Sequence, residues 1–155
     1  MTLSTGSVKF ETGKADERDI LAHLLECDQF FIPLLSEKVN LAEYARKISD
    51  KAVTFEAWVE GELVGLIAAY FNNAAHGKGF ITNVSVSNAQ KGKGIAARLL
   101  QNCVDYGIEK SFSTISLEVS AQNEPAIQLY KKFGFTEESR KGDSITMNIS
   151  LKPST

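Results

Sequence analysis

The chain has 155 residues, 43% of them hydrophobic, and its 17 basic and 19 acidic side chains leave a formal net charge of −2. That length supports one globular domain over residues 1–155 with a sizeable core, and the near-neutral balance, with no long basic run or basic helix face, excludes nucleic acid as the main partner. No stretch approaches the roughly eighteen apolar residues of a membrane span and the N-terminus is polar, so neither a membrane nor a secretion signal is expected, and the cytoplasm is.

In chain order, a short strand is expected at about Val8 to Glu11. Asp16 then caps a helix whose apolar positions Ile20, Leu21, Leu24 and Leu25 follow a 3.6-residue period. His23 lies on this helix and reads as a surface or packing residue. Phe30 to Leu35 is apolar but broken by Pro33, and Phe30 and Phe31 are either substrate-lining or buried against a sheet. Asn40 caps a second helix, Leu41 to Ile48. Val53 to Val59 alternates as a strand, Glu60-Gly61-Glu62 turns, and Leu63 to Phe71 returns. A loop from Asn72 to Lys78 contains His76, a weak candidate for substrate contact. Phe80 to Val86 is a strand, Ile95 to Ile108 a helix, Thr114 to Val119 a strand and Asn123 to Phe133 a helix, with Gly134 suited to its C-cap. Strands at Thr136 to Arg140 and Ser144 to Leu151 finish the chain. The order predicts a single mixed α/β (α+β) domain with a mainly antiparallel central sheet flanked by helices. Cys27 and Cys103 fall on predicted helices without metal-ligand spacing, so no metal is expected and both read as buried thiols of a reducing compartment. Asn83-Val84-Ser85 and Asn148-Ile149-Ser150 spell glycosylation sequons, but both fall inside predicted strands and read as coincidental.

One turn stands apart. Gln90-Lys91-Gly92-Lys93-Gly94-Ile95-Ala96 joins a strand to a helix. Glycine permits backbone angles that a Cβ forbids and lets a ligand approach the main chain, and the first turn of a helix leaves N–H groups free at the positive end of its dipole. Such a turn can hold a phosphate or pyrophosphate; an exposed turn with solvated lysines fits the same residues. A Walker loop is excluded because Ile95 follows Gly94. Gly92-x-Gly94-x-x-Ala97 matches a dinucleotide fingerprint weakly, with no acidic ribose partner at the end of a second strand.

The surrounding residues carry a resemblance. Lys91-Gly92-Lys93-Gly94-Ile95-Ala96, preceded by Asn83-Val84-Ser85-Val86, resembles the Gln/Arg-x-x-Gly-x-Gly/Ala segment of the GNAT superfamily of acetyl-CoA-dependent acyltransferases. Asn123-Glu124-Pro125-Ala126-Ile127-Gln128-Leu129-Tyr130-Lys131-Lys132-Phe133-Gly134-Phe135 resembles the family's Asn-x-x-Ala-x-x-x-Tyr-x-x-x-Gly-Phe segment. The resemblance covers about residues 53–151 well and the first fifty in outline. Lys91 departs from the usual Gln or Arg, supplying a point charge where arginine would supply a fork.

The resemblance implies acetyl-CoA as cosubstrate, with its pyrophosphate on the backbone of Lys91, Gly92, Lys93, Gly94, Ile95 and Ala96. It implies that the strand before the cradle splays from its neighbour, so that Val84 and Val86 bind the pantetheine amides, and that Asn123 contacts the pantetheine arm. Tyr130 becomes the general acid for the departing thiolate; without the motif it reads as a core aromatic beside Ile127 and Phe133. The base is less defined. A lysine-like amine of pKa about 10.4 costs roughly 4.6 kcal/mol to deprotonate at pH 7 and an α-amine near 8 only about 1.4. Relatives often carry a glutamate on the strand before the cradle, but Ile81-Thr82-Asn83 has none. Glu118, working through water, and Asn83 are the weak candidates, with His76 an outside one. The acceptor is expected to be a small-molecule amine, attacking directly because no Ser-His or Cys-His arrangement suggests an acyl-enzyme. A peptide amine and a non-catalytic acyl-CoA-binding domain are the alternatives. The C-terminal strands could extend a neighbour's sheet into a homodimer.

Overall fold

The computed structural model describes residues 7–73, 75 and 77–151. Its strands are β1 (Lys9–Thr12), β2 (Val53–Val59), β3 (Glu62–Asn73), β4 (Lys78–Val86), β5 (Thr114–Ser120), β6 (Thr136–Lys141) and β7 (Ser144–Ser150), and its helices α1 (Glu17–Cys27), α2 (Leu41–Lys51), α3 (Ile95–Glu109) and α4 (Glu124–Phe133). The seven strands form one sheet in the order β1-β2-β3-β4-β5-β7-β6. Only β4 and β5 pair in parallel among the described strands, as their connection through α3 requires. This is the expected mixed, mainly antiparallel architecture.

Local chemistry sets the helix starts. The Asp16 carboxylate accepts the Asp19 N–H at 2.9 Å while the Asp19 carboxylate accepts the Asp16 N–H at 3.0 Å, a reciprocal cap for α1. Asn40 accepts the Glu43 N–H at 3.0 Å and starts α2. α2 runs three residues beyond the expected Ile48, closed by the Ala52 N–H on the Ile48 carbonyl. The β3–β4 hairpin is also longer than expected, because Asn73 pairs with Lys78 and absorbs the start of the predicted loop. His76 lies outside the described residues.

Alternation along β3 divides the core into two layers. Leu66 and Ala68 face α1 and α2, where they meet Ile20, Leu24, Ala45 and Ile48. Ile67 and Ala69 face the other side with Leu99, Leu100 and Cys103 of α3 and Ile127 and Tyr130 of α4. Gly65 permits the close seating of α3, since a Cβ there would lie 2.9 Å from Ile95 Cγ2. Glu56, fully buried, accepts the backbone N–H groups of Lys14 and Ala15, the Thr54 hydroxyl and the Trp58 indole N–H, and so ties the β1–α1 loop to β2. β6 is the exposed outer strand at the C-terminal edge, and Glu137, Glu138, Arg140 and Lys141 charge it, a pattern that discourages strand addition. Cys27 and Cys103 are buried free thiols, pushed by desolvation to about 11 and about 12. No helix among the described residues is long and apolar enough to cross a membrane.

The sheet forks. β4 and β5 keep register from Lys78↔Thr114 to Ile81↔Leu117 and then part. β4 stays paired with β3 as far as Val86↔Gly65, and β5 stays with β7 as far as Ser120↔Ser144. At the fork, Ala69 pairs with Ile81 and Ala68 with Asn83, so Thr82 is an extra residue on β4. A bulge bends its strand, and this one sits where β4 must leave β5.

Candidate active site

On one side of the fork lies the glycine turn. After β4, a short turn over Asn88–Gln90 leads to Gly92 and Gly94, at φ +82° and +77°, in the left-handed region that favours glycine. Gly94 is the N-cap of α3 and offers no side chain to its first N–H groups, the first turn holds no acidic residue, and the Arg98 N–H is the one that returns to the Gly94 carbonyl. The N–H groups of Ile95, Ala96 and Ala97 are therefore left at the positive end of a fifteen-residue helix. A Cβ at Gly92 or Gly94 would meet nothing within 4 Å. This open cradle, free of competing side chains, fits a pyrophosphate. It forms one wall of a cavity of about 480 Å³ that also includes Val84, Val86, Lys91 and Ala96.

The cradle's side chains divide. Lys91 borders the cavity, its ammonium 4.6 Å from the centre of the Phe30 ring. Lys93 instead donates to the Gln90 carboxamide at 3.0 Å and does not line the cavity. Phe30, read from sequence as an acceptor-side residue, lines this cavity and not its neighbour, because the turn after α1 lays its ring beside Lys91.

A second cavity, of about 410 Å³, opens in the fork itself. Ile81 to Val84 make one wall, Leu117 to Ser120 the other, Phe31-Ile32-Pro33 cover it, and Lys141, Asp143 and Ser144 border it from the β6–β7 side. Phe31, Ile32, Val84 and Asn123 line both cavities, so the two meet there. Asn123 is also the N-cap of α4, accepting the Ala126 N–H at 3.4 Å, a structural role that the motif alone did not show. Tyr130 lines the fork cavity and is 6% exposed; burial pushes its hydroxyl well above the ordinary phenol value, and that hydroxyl has no hydrogen-bond partner among the described residues. Glu118 is exposed on the rim, and Asn83 is buried at the wall, where its carboxamide oxygen receives the Ser85 hydroxyl at 2.8 Å.

The sequence reading gave Tyr44 no role and read His23 as a surface or packing residue. Tyr44 reaches from α2 to donate to the Thr82 carbonyl at 2.7 Å, filling an acceptor at the bulge; its hydroxyl is pushed up by burial. His23 is buried, with Nε2 2.9 Å from the Ser85 hydroxyl oxygen and Nδ1 3.2 Å from the Leu63 carbonyl oxygen, and desolvation lowers it to about 4. A signal for His23 was present: Ile20, His23, Leu24 and Cys27 share one helix face at i, i+3, i+4 and i+7. Tyr44 had none, since its partner is 38 residues away. No group of three or more His, Cys, Asp or Glu that could hold a metal occurs among the described residues.

Residues 19–135 match the family model described as the acetyltransferase (GNAT) family. The chain belongs to that family. It is an acetyl-CoA-dependent N-acetyltransferase, and the open glycine cradle at the head of α3 fits that cosubstrate. Streptothricin acetyltransferase from Escherichia coli is 26% identical over 134 residues, 75% of this chain and 76% of the relative. Two further relatives, one of them the streptothricin acetyltransferase of Streptomyces lavendulae, are matched over 60% and 40% of their own lengths. Among solved structures, PH1933 from Pyrococcus horikoshii OT3 is 29% identical, covers 93% of this chain and 98% of its own, and superposes with a TM-score of 0.73. The PaiA N-acetyltransferase of Thermoplasma acidophilum, solved with coenzyme A, shares the fold at 18% identity, with coverage of 93% and 99% and a TM-score of 0.75.

Proposed function

We propose that this enzyme acetylates the primary amine of a small molecule, in the cytoplasm, by direct attack on the thioester. The observation that carries the reading is the fork cavity: at about 410 Å³ it has the size of a small-molecule site, it meets the cradle cavity at Val84 and Asn123, and Phe31-Ile32-Pro33 cover it. The relative named for streptothricin supports the same class of acceptor.

Acetyl-CoA supplies the activated acyl group. The backbone N–H groups from Gly92 to Ala96 bind its pyrophosphate, with the Lys91 charge beside them, and the part of β4 that has left β5 offers the backbone of Val84 and Val86 to the pantetheine amides. Tyr130 holds a proton at its hydroxyl at every physiological pH, since burial raises it above its ordinary value. That hydroxyl lines the fork, where it hydrogen-bonds and protonates the CoA thiolate released as the amine nitrogen bonds the acetyl carbon. The amine must lose a proton to become nucleophilic. Glu118 on the rim accepts it through water, and Asn83 on the wall holds the amine. The two buried thiols suit a reducing compartment.

The test is thiol release from acetyl-CoA over a panel of polyamines, amino acids, amino sugars and N-terminal peptides, with the product identified by mass spectrometry. Acetylation of a small amine in preference to the peptides is expected. Preference for the peptides would move the acceptor class to protein or peptide amines, and binding of acetyl-CoA with no amine acetylated would favour a non-catalytic acyl-CoA-binding domain.

A further inference from the structure

Four charged side chains border the fork cavity: Lys38 from the segment before α2, Glu118 on β5, and Lys141 and Asp143 at the β6–β7 turn. Asp143 is occupied. Its carboxylate accepts the Ser120 hydroxyl at 2.6 Å and the Gln122 carboxamide N–H at 3.5 Å. The ammonium groups of Lys38 and Lys141 and the carboxylate of Glu118 make no hydrogen bond or ion pair among the described residues, where the ion pair joins Arg140 to Glu137. The cavity is therefore bordered by two cations and one acid that the fold leaves unused.

The strand register places these groups. Alternation puts Leu117 and Val119 of β5, and Ile145 and Met147 of β7, into the core layer under α3 and α4, so Glu118, Ser120 and Ser144 face the opposite side. Ser120 pairs with Ser144 and Ser144 with Lys141, which sets the three in one row across β5, β7 and β6. The Ser144 hydroxyl, like the Lys141 ammonium opposite it, has no hydrogen-bond partner among the described residues. Side by side they offer an O–H and an N–H to one anion. Lys38 borders the same cavity from its covering side, beyond Pro33. Glu118 lies two residues along β5 from the row, about 7 Å away. Positive charge thus borders the cavity from two sides, and the free acid is set apart from the Lys141 row. A polyamine would bring more positive charge to the lysines, whereas a molecule with an amine at one end and an anion at the other meets both kinds of group.

We propose that the acceptor is an amine that also carries an anionic group, a carboxylate or a phosphate, held by Lys38, Lys141 and the Ser144 hydroxyl, with its amine toward Glu118 and the thioester. This rests on the acceptor reading of the fork cavity and narrows it to one charge type. Lysine is a hydrated point charge, so the site selects for charge and not for a planar group.

The test compares kcat/KM within matched pairs: amino acids against their carboxamides, and glucosamine 6-phosphate against glucosamine, with spermidine as the cationic probe. The anionic member of one pair is expected to be preferred about tenfold, what two exposed ion pairs supply; which pair shows it tells carboxylate from phosphate. Spermidine is expected to be the poorest acceptor. The amines of a pair differ in their own reactivity, so the ratio is then followed in variants. Lys38 and Lys141 are exposed, and methionine keeps the stem without the charge. Lys38→Met and Lys141→Met are each expected to lower the anionic-to-neutral ratio about fivefold, the upper range for one exposed ion pair. Lys141→Arg is expected to keep the ratio and Lys141→Glu to move the preference toward spermidine. Small amines acetylated with no preference for an anionic member, or with a ratio that both methionine variants leave in place, overturn the proposal while the acceptor reading stands. Preference for peptides, or no amine acetylated, removes the acceptor reading and the proposal with it.

Discussion

The Tyr44 hydroxyl donates to the Thr82 carbonyl oxygen at 2.7 Å, joining α2 to the one residue of β4 that has no partner in the β3 ladder at the point where the sheet forks. A bulge leaves backbone groups outside the ladder, and a buried acceptor without a donor costs about 1–3 kcal/mol. Thr82 is half-buried, so Tyr44 removes part of that cost, and it fixes the wall of the fork cavity. Tyr44→Phe is expected to lower stability by about 1 kcal/mol in urea denaturation and to raise KM for the amine without weakening acetyl-CoA. Weakened acetyl-CoA with an unchanged amine KM would place the bulge on the wrong side of the fork.

Tyr130 separates chemistry from stability. Its hydroxyl has no hydrogen-bond partner among the described residues, while its ring packs against Phe135 with centroids 5.8 Å apart. Tyr130→Phe keeps the ring and removes only the proton donor. Thermal stability is expected to hold or rise slightly, with kcat down about a hundredfold, the lower range for loss of a general acid. A variant with the turnover of the parent would leave Tyr130 a packing residue.

The cradle glycines can be tested against a glycine that does nothing but turn. Gly92, Gly94 and Gly61 all have φ between +77° and +82° and open space at the Cβ position. Alanine at each costs about 1–2 kcal/mol of backbone strain. At Gly92 and Gly94 the added methyl would also enter the space proposed for the pyrophosphate. Calorimetry is expected to show acetyl-CoA affinity falling at least about tenfold, some 1.4 kcal/mol, for Gly92→Ala and Gly94→Ala, and no change for Gly61→Ala. Equal affinities in all three would remove the cradle from the binding site.

His23 gives stability a pH dependence. Its folded value is about 4 against an ordinary 6.5, so the unfolded chain takes up a proton that the folded chain refuses. The contribution is fully present above pH 6.5 and is lost as pH falls from there toward 4, on the order of 3 kcal/mol in all. Urea midpoints at pH 7, 6 and 5 should decline in the parent and decline less in His23→Gln. A parallel decline in both would assign the effect to other groups.

Much of the fold around the candidate site was readable because it is local. The cradle, the Asn40 and Asp16 caps and the Asn123 to Phe135 segment are each set within a few residues, and the structure places them on the expected elements. What escaped depends on distant partners. Glu56 looks like a solvent-facing residue of an alternating strand, yet it is buried because two N–H groups, about forty residues upstream, converge on it. The Thr82 bulge has no glycine or proline to announce it. His23 was visible as a face, but its line to Asn83 runs through Ser85, 62 residues away in sequence.

The account rests on an amine entering the fork cavity to reach the thioester, and thiol release from acetyl-CoA, followed in parent and Tyr130→Phe proteins with matched small amines and N-terminal peptides, tests this most directly. It predicts CoA thiol released in step with acetylated small amine, faster than with any peptide, and slowed about a hundredfold by the phenylalanine. Peptide acetylated in preference to every small amine, or no difference between the two proteins, would contradict it.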